Sequence, residues 1–178
     1  LILPESKRAN LDGPDGDMSK DTNGAGPDHD LRTMRLPAAT LRVLQLTDTH
    51  LCADPGATLL GVDTLDTCRR VIADFHSRPW PLDLVLATGD MVHDASTAGY
   101  RRLADLLSGF GVPVLWLPGN HDNPEVMRAW LRGPNIHADT VRDLRGWWFA
   151  MLDSVVRGAA GGRLDAVQLE RLAQALAT

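Results

Sequence analysis

Several features that define common protein classes are scarce in this sequence of 178 residues. It has two cysteines, Cys52 and Cys68, which form neither a CxxC pair nor a disulfide framework, as suits a reducing compartment. No apolar run approaches the roughly 18 residues of a membrane-spanning helix, and the first residues lack the basic-then-apolar order of a signal peptide. These features predict a cytoplasmic protein without a membrane partner.

An excess of basic residues is also lacking, since the net charge is -5. Proteins that bind nucleic acid use such an excess to neutralise phosphates, so no nucleic-acid partner is predicted. If the protein handles a phosphate group, we expect a bound metal to supply the positive charge. The hydrophobic content of 44% is nevertheless sufficient for one globular domain with a true core.

The first part of the chain, residues 1–39, is rich in Asp, Gly, Pro, Asn and Lys and has no hydrophobic period. We predict a disordered tail there and a folded domain over residues 40–178.

Apolar strands and amphipathic helices alternate after this tail. Asp63 and Ser96 fit the N-cap position of the first two helices. Mostly apolar strands in repeated strand-helix units predict an α/β fold with a largely parallel sheet covered by helices. The predicted strands are 41–46, 82–88, 112–117 and 147–152, and the predicted helices are 64–75, 96–110, 124–131 and 163–176.

Polar residues follow each of the first three predicted strands. Asp48 and His50 follow the first, Asp90 follows the second, and the sequence GNHD at 119–122 follows the third. A single Asp after a strand is usually a helix cap, and Pro, Gly and Asn favour turns. Polar clusters after three successive strands are harder to attribute to caps and turns alone. In open α/β sheets, ligands bind beyond the carboxyl ends of the strands, so these side chains are expected to converge.

These residue types suggest a metal site with hydrolytic chemistry. Carboxylate, imidazole and amide donors suit Mn, Fe or Zn. A carboxylate can bridge two ions, and two adjacent ions can orient a phosphate ester, activate water and stabilise the charge that develops. Phosphoester hydrolysis needs all three effects.

The ordered set DTH, GD and GNHD resembles the calcineurin-like metallophosphoesterase family, in which each motif follows a strand. The longer stretches TDTHLCADPGATLLGVDT, ATGDMVHDAS and WLPGNHDNPEVM are similar to bacterial class III cyclic-AMP phosphodiesterases, and the similarity extends over 41–176. The resemblance implies a layered α/β/β/α sandwich. It also implies a small-molecule nucleotide substrate, 3',5'-cyclic AMP, hydrolysed to 5'-AMP by a metal-bound hydroxide.

The resemblance further implies two divalent or mixed-valence metal ions, with Fe, Mn or Zn as candidates. Asp48 and His50 would bind the first ion, Asp90 would bridge, and Asn120 would bind the second.

The same resemblance implies catalytic roles at the third motif. His121 would be the acid or transition-state stabiliser beside the leaving oxygen, with Asp122 holding its ring. Asn120, His121 and His50 would contact the substrate. We expect His93, three residues after Asp90, to line or cap the pocket rather than to bind metal directly.

The family pattern continues with a later His and a final G-H-x-H, which are not found here. His137 lacks that context and is predicted to lie in a surface loop. The chain is therefore expected to be the front part of an enzyme, incomplete at its C-terminus, that binds metal weakly and turns over poorly in isolation.

Two other functions fit the motifs. One is a different metallophosphoesterase activity, such as a phosphatase or a 2',3'-cyclic phosphodiesterase, because the motifs specify metal chemistry rather than the substrate. The other is a noncatalytic module that binds metal or nucleotide. The pattern predicts no particular oligomeric state.

Overall fold

The computed structural model of the protein describes residues 2–4, 40–138 and 141–177. Within these residues, nine strands and four helices follow one another along the chain. In chain order they are β1 (Ile2–Pro4), β2 (Val43–Thr47), β3 (Thr58–Leu59), β4 (Val62–Asp63), α1 (Thr64–His76), β5 (Leu84–Thr88), α2 (Thr97–Ser108), β6 (Val114–Trp116), α3 (Pro124–Trp130), β7 (Ile136–His137), β8 (Val141–Leu144), β9 (Trp147–Ala150) and α4 (Ala166–Ala177).

The predicted parallel sheet is present, with strand order β2-β5-β6-β7. Side chains of β5 alternate between its two faces. Val85 and Ala87 join the core formed with the helices, whereas Leu84 and Leu86 join a second core on the opposite face. Because both faces are buried, the strand reads in sequence as an unbroken apolar run.

The helices that follow β2 and β5 begin where the sequence predicts. Asp63 accepts a hydrogen bond from Asp66 N at the start of α1, and Ser96 accepts one from Gly99 N at the start of α2. Both side chains satisfy backbone donors that the first helical turn leaves unpaired. The predicted N-caps are therefore confirmed.

A second, antiparallel sheet has the order β1-β9-β8 and packs on the first through Leu84, Leu86, Leu115, Phe149 and Met151. Helix α4 lies beside this second sheet, since its residues Val167 and Leu172 line one cavity together with Val141 of β8 and Ala150 of β9. The side chain of Gln168 also donates to the carbonyl of Asp153, just beyond β9. The layers are thus α/β/β/α, as the family resemblance implied.

The strand-helix repetition predicted that the fourth apolar run would continue the parallel sheet, and this prediction is wrong. It forms β9, which pairs antiparallel with β8 across the turn at Arg145 and Gly146, both with positive φ (53° and 79°). Such a short turn reverses the chain and allows only antiparallel pairing. The fourth parallel strand is instead β7, whose two residues are too few for a periodic signal.

This strand also corrects the prediction for His137, which lies half-buried in β7 opposite Leu115 and not in a surface loop.

The predicted disordered tail needs a correction at residues 2–4. These residues form β1, which pairs antiparallel with β9 in the register Ile2↔Phe149. An extended segment there hydrogen-bonds to a strand edge that would otherwise be open. The rest of the predicted tail, residues 1 and 5–39, lies outside the described residues, and the domain boundary at residue 40 stays a prediction.

Among the helices in the described part of the chain, none is long and apolar enough to cross a membrane. The cytoplasmic location stays a prediction.

Candidate metal centre

The ends of β2 and β5 bring three predicted metal ligands together. Asp48, His50 and Asp90 each offer a ligand atom, and these atoms lie within 4.8 Å of one another. Nε2 of His50 is 3.9 Å from Oδ2 of Asp90. Residues 40 positions apart in sequence are therefore neighbours, because parallel strands end at the same edge of a sheet.

Backbone hydrogen bonds continue beyond the strands and fix the two loops against each other. His50 N donates to Asp90 O (3.0 Å), Leu51 N donates to Met91 O (3.0 Å), and His93 N donates to Leu51 O (2.8 Å). Leu51 is fully buried and anchors these hydrogen-bonded loops in the core. The loops that carry the ligands are thus joined by backbone hydrogen bonds, as are the strands before them.

Two of the clustered residues have strained backbones. Asp48 (φ 54°) and His50 (φ 43°) occupy the left-handed region, which is disfavoured for residues other than glycine. Neighbouring contacts hold this conformation, since Thr47 donates its hydroxyl to Asp48 and Thr64 donates its own to His50 O at 3.0 Å. Strain of this kind concentrates at functional sites.

Two glycines allow the motif loops to approach closely. A Cβ at Gly119 would lie 2.1 Å from Oδ1 of Asp90 and 2.5 Å from Asp90 N. At Gly89 (φ 77°) it would lie 2.8 Å from the hydroxyl of Thr47. Only glycine fits at position 119 without separating the loops after β5 and β6.

The third motif contributes Asn120 and His121, both exposed. Asn120 lines a cavity of about 290 Å³ that also includes Gly89 and Ser154. The backbone N–H of His121 donates to Oδ1 of Asp90 at 2.9 Å, and its ring lies with its centroid 5.3 Å from that of His50. The loop after β6 therefore closes over Asp90.

Asp122 has a different set of contacts from the one expected. It is buried, and its carboxylate accepts hydrogen bonds from the backbone N–H groups of Met91, Val92 and Gly119, each at 3.0 Å, and from the hydroxyl of Tyr100 at 2.8 Å. No bond joins Asp122 to the His121 ring among the described residues. The predicted role of holding that ring is therefore corrected, because both oxygens are used to connect the loops and α2.

Burial raises the pKa of the Asp122 carboxyl, and the hydrogen bonds from Gly119, Met91 and Val92 oppose that rise. Burial and the neighbouring carboxylate also raise the pKa of Tyr100, which keeps its hydroxyl protonated as a donor. The pair is thus held as donor and acceptor within the protein interior.

The contacts of two residues at the site were not anticipated from the sequence. Tyr100 was not among the predicted site residues, although a buried tyrosine hydroxyl requires a hydrogen-bond partner. His93 was expected to line the pocket, but its Nδ1 lies 3.3 Å from Nδ1 of His50 and its ring stacks on His121 with centroids 4.6 Å apart. The spacing GDMVH was the available signal for His93.

The donor set fits a divalent cation. It combines two carboxylates with an imidazole, which suits borderline metals such as Mn, Fe or Zn. Within the part of the chain that the structure describes, neither Asp48 nor Asp90 forms a salt bridge with Arg or Lys. Two neighbouring carboxylates without such a partner are best stabilised by a bound cation.

A sheet sandwich with a carboxylate-histidine cluster at its strand ends defines a class of metal-dependent phosphoesterases. The chain matches the model of the calcineurin-like phosphoesterase family over residues 41–162 and belongs to that family. Family membership implies a site for divalent metal ions.

The sequence similarity to curated relatives extends beyond the family motifs. Two proteins named 3',5'-cyclic adenosine monophosphate phosphodiesterase CpdA, from Haemophilus influenzae and Escherichia coli K12, are 39% identical over 137 and 140 residues. The protein of that name from Pseudomonas aeruginosa is 36% identical over 138 residues. The alignments cover 76–78% of this chain and 50–51% of the relatives, so the chain spans about half of their length.

Replacing Gly119 tests the close approach of the loops. Gly119→Ala should lower the free energy of unfolding by about 1–3 kcal/mol, since its Cβ would overlap the backbone of Asp90, and should weaken Mn²⁺ binding measured by calorimetric titration. Gly56→Ala is the control, because a Cβ there would meet nothing closer than Asp54 at 3.6 Å. Equal effects of the two substitutions would contradict the packing described here.

Replacing Asp122 tests its role as the acceptor that joins the loops. Asp122→Asn should lower the free energy of unfolding by about 1–3 kcal/mol, because an amide nitrogen would face a backbone N–H that has lost its acceptor. Urea denaturation measures the change. Asp105→Asn, on the exposed side of α2, should change stability by less than about 0.5 kcal/mol. An Asp122→Asn protein as stable as the wild type would refute this role.

Proposed function

We propose that this protein is a dinuclear metal phosphodiesterase, which hydrolyses 3',5'-cyclic AMP to 5'-AMP. The observation that carries the proposal is the convergence of Asp48, His50 and Asp90 at the ends of two parallel strands, with His121 hydrogen-bonded to Asp90. The names of the curated relatives support the same substrate.

The proposed ligand roles follow the family motifs. Asp48 and His50 would bind one ion, Asp90 would bridge, and Asn120 would bind the other, with Fe, Mn or Zn as the metals. Ions held there would activate water and neutralise charge on the phosphoryl oxygens. The carboxylates would supply the negative charge that retains the ions, and the hydrogen-bonded loops keep the carboxylate oxygens in place.

His121 is the proposed catalytic acid or transition-state stabiliser. Its backbone is fixed to Asp90, whereas its ring is exposed and thus accessible to a substrate. An imidazole in that position can give a proton to the leaving oxygen or a hydrogen bond to a developing negative charge. Asn120 and His50 complete the proposed contacts to the substrate.

A diester fits the surroundings of the site better than a monoester. A dianionic monoester usually requires an Arg or Lys clamp. Arg102 does reach the loop after His50, but its guanidinium donates to the carbonyls of Cys52 and Ala53. A singly charged cyclic diester needs less compensation.

A groove beside the cluster also suits the nucleoside part of such a substrate. It has a volume of about 370 Å³ and is lined by Asp48 and His50 together with the apolar residues Leu59, Leu60 and Val62. Ligand sites of this size usually combine apolar walls with a few polar groups that orient the ligand. The groove therefore provides room for an apolar group next to the phosphate.

The bridging role predicts an order of metal affinities. Asp90→Asn should weaken Mn²⁺ binding more than Asn120→Ala, by about 10-fold or more, because the substitution removes charge shared by both ions. Competition titration with a chelating dye on the full-length protein measures both constants. If Asn120→Ala were the more damaging change, the assignment of Asp90 as the bridge would be wrong.

The substrate is tested by comparing kcat/KM on the metal-loaded full-length protein for four compounds: 3',5'-cyclic AMP, 2',3'-cyclic AMP, an aryl phosphodiester and the matching monoester. We expect cyclic AMP hydrolysis and a preference for the diester over the monoester.

His121→Ala should retain its metals and lose roughly 100-fold in kcat.

Other results of this kcat/KM comparison would indicate one of the alternative functions. Faster hydrolysis of the monoester with no reaction of cyclic AMP would indicate a phosphatase. A preference for 2',3'-cyclic AMP would indicate a different diesterase, and metal binding without any hydrolysis would indicate a noncatalytic module.

A further inference from the structure

We infer that His93 is a positioning residue of the metal centre, which fixes the ring of His50 by accepting its Nδ1–H and supports the ring of His121 by stacking. This inference rests on the proposed function only in taking the Asp48, His50 and Asp90 cluster as the metal site.

The hydrogen bond between the two imidazoles carries the first part of the inference. Nδ1 of His93 lies 3.3 Å from Nδ1 of His50, so one ring must donate and the other accept. Nε2 of His50 faces Oδ2 of Asp90, on the side where an ion would bind. A neutral imidazole that offers Nε2 to a metal carries its hydrogen on Nδ1, which makes His50 the donor and Nδ1 of His93 the acceptor.

The stacking contact carries the second part. The rings of His93 and His121 lie with their planes 24° apart and their centroids 4.6 Å apart. Both rings also contact His50, each at a centroid distance of 5.3 Å. His93 thus touches both the ligand ring and the proposed acid ring, and it can restrict the rotation of each.

The backbone of His93 is fixed on both sides, as a positioning role requires. Its N–H donates to Leu51 O at 2.8 Å, and the preceding Val92 is fully buried and donates to Asp122 at 3.0 Å. The following Asp94 accepts from Ala53 N at 2.8 Å. A side chain on a backbone held in this way can orient a neighbour at little entropic cost.

Two substitutions separate the two contacts. His93→Asn keeps an acceptor oxygen near the position of Nδ1 but removes the ring, whereas His93→Phe keeps a ring but removes the acceptor. His76→Asn is the control, because His76 lies at the end of α1 and packs against Phe110. Zn²⁺ affinity and kcat are measured on the full-length protein for all three variants and the wild type.

We expect His93→Phe to weaken Zn²⁺ binding by about 10-fold, the usual effect of losing an outer hydrogen-bond partner of a metal ligand. His93→Asn should keep Zn²⁺ affinity within about 3-fold of the wild type while kcat falls, since only the support of His121 is lost. His76→Asn should change neither quantity. A purely structural role for His93 would not produce this split.

A measurement on the wild type provides the same test if a variant does not fold. Long-range ¹H–¹⁵N correlation spectra of the Zn²⁺-loaded protein should show hydrogen on Nδ1 of His50 and on Nε2 of His93. Hydrogen on Nδ1 of His93 would overturn the inference.

Equal affinity losses in the two variants, or no loss in either, would also overturn it. A loss of about 100-fold or more in both would make His93 a direct ligand and would refute the positioning role. If the Zn²⁺ affinities of the two variants differ as expected but cyclic AMP is not hydrolysed, only the proposed function is refuted. Absence of metal binding in the wild type would refute both the inference and the proposed function.

Discussion

The buried carboxylate of Asp122 holds the arrangement of the motif loops. Three backbone N–H groups and the Tyr100 hydroxyl converge on it from the loops after β5 and β6 and from α2. Buried N–H groups without an acceptor would cost several kcal/mol together, so one acidic side chain stabilises the crossing of these segments. Asp90 and His121 take their positions from the loops held in this way.

The approach of those loops concentrates negative charge and strain in a small volume. Glycines at positions 89 and 119 allow contacts that a side chain would prevent, and Asp48 and His50 adopt left-handed backbones. The result is a set of oxygen and nitrogen donors whose separation is fixed before any ligand binds. Preorganisation of this kind makes a site selective for a cation and lets the cation bind without rearrangement of its ligands.

The sequence allowed much of this to be predicted, for physical reasons. Buried parallel strands read as apolar runs, N-caps need particular side chains, and polar residues after successive strands must share one edge of a sheet. The sequence could not show which way the Asp122 carboxylate faces, because the residue type fits either contact. It also hid the direction of β9, since Arg145 occupies a turn position where Asn or Asp would have given a hairpin signal. The contacts of Tyr100 and His93 could not be predicted, because spacing in the sequence does not show which side chains a helix or loop residue will meet.

The proposed function requires a metal centre at the ends of β2, β5 and β6. An anomalous-difference map from crystals of the protein grown with Mn²⁺ tests this claim directly. We expect density bounded by Asp48, His50 and Asp90, with any second peak on the side of Asp90 that faces Asn120. Mn²⁺ density at other residues, with none at this cluster, would contradict it.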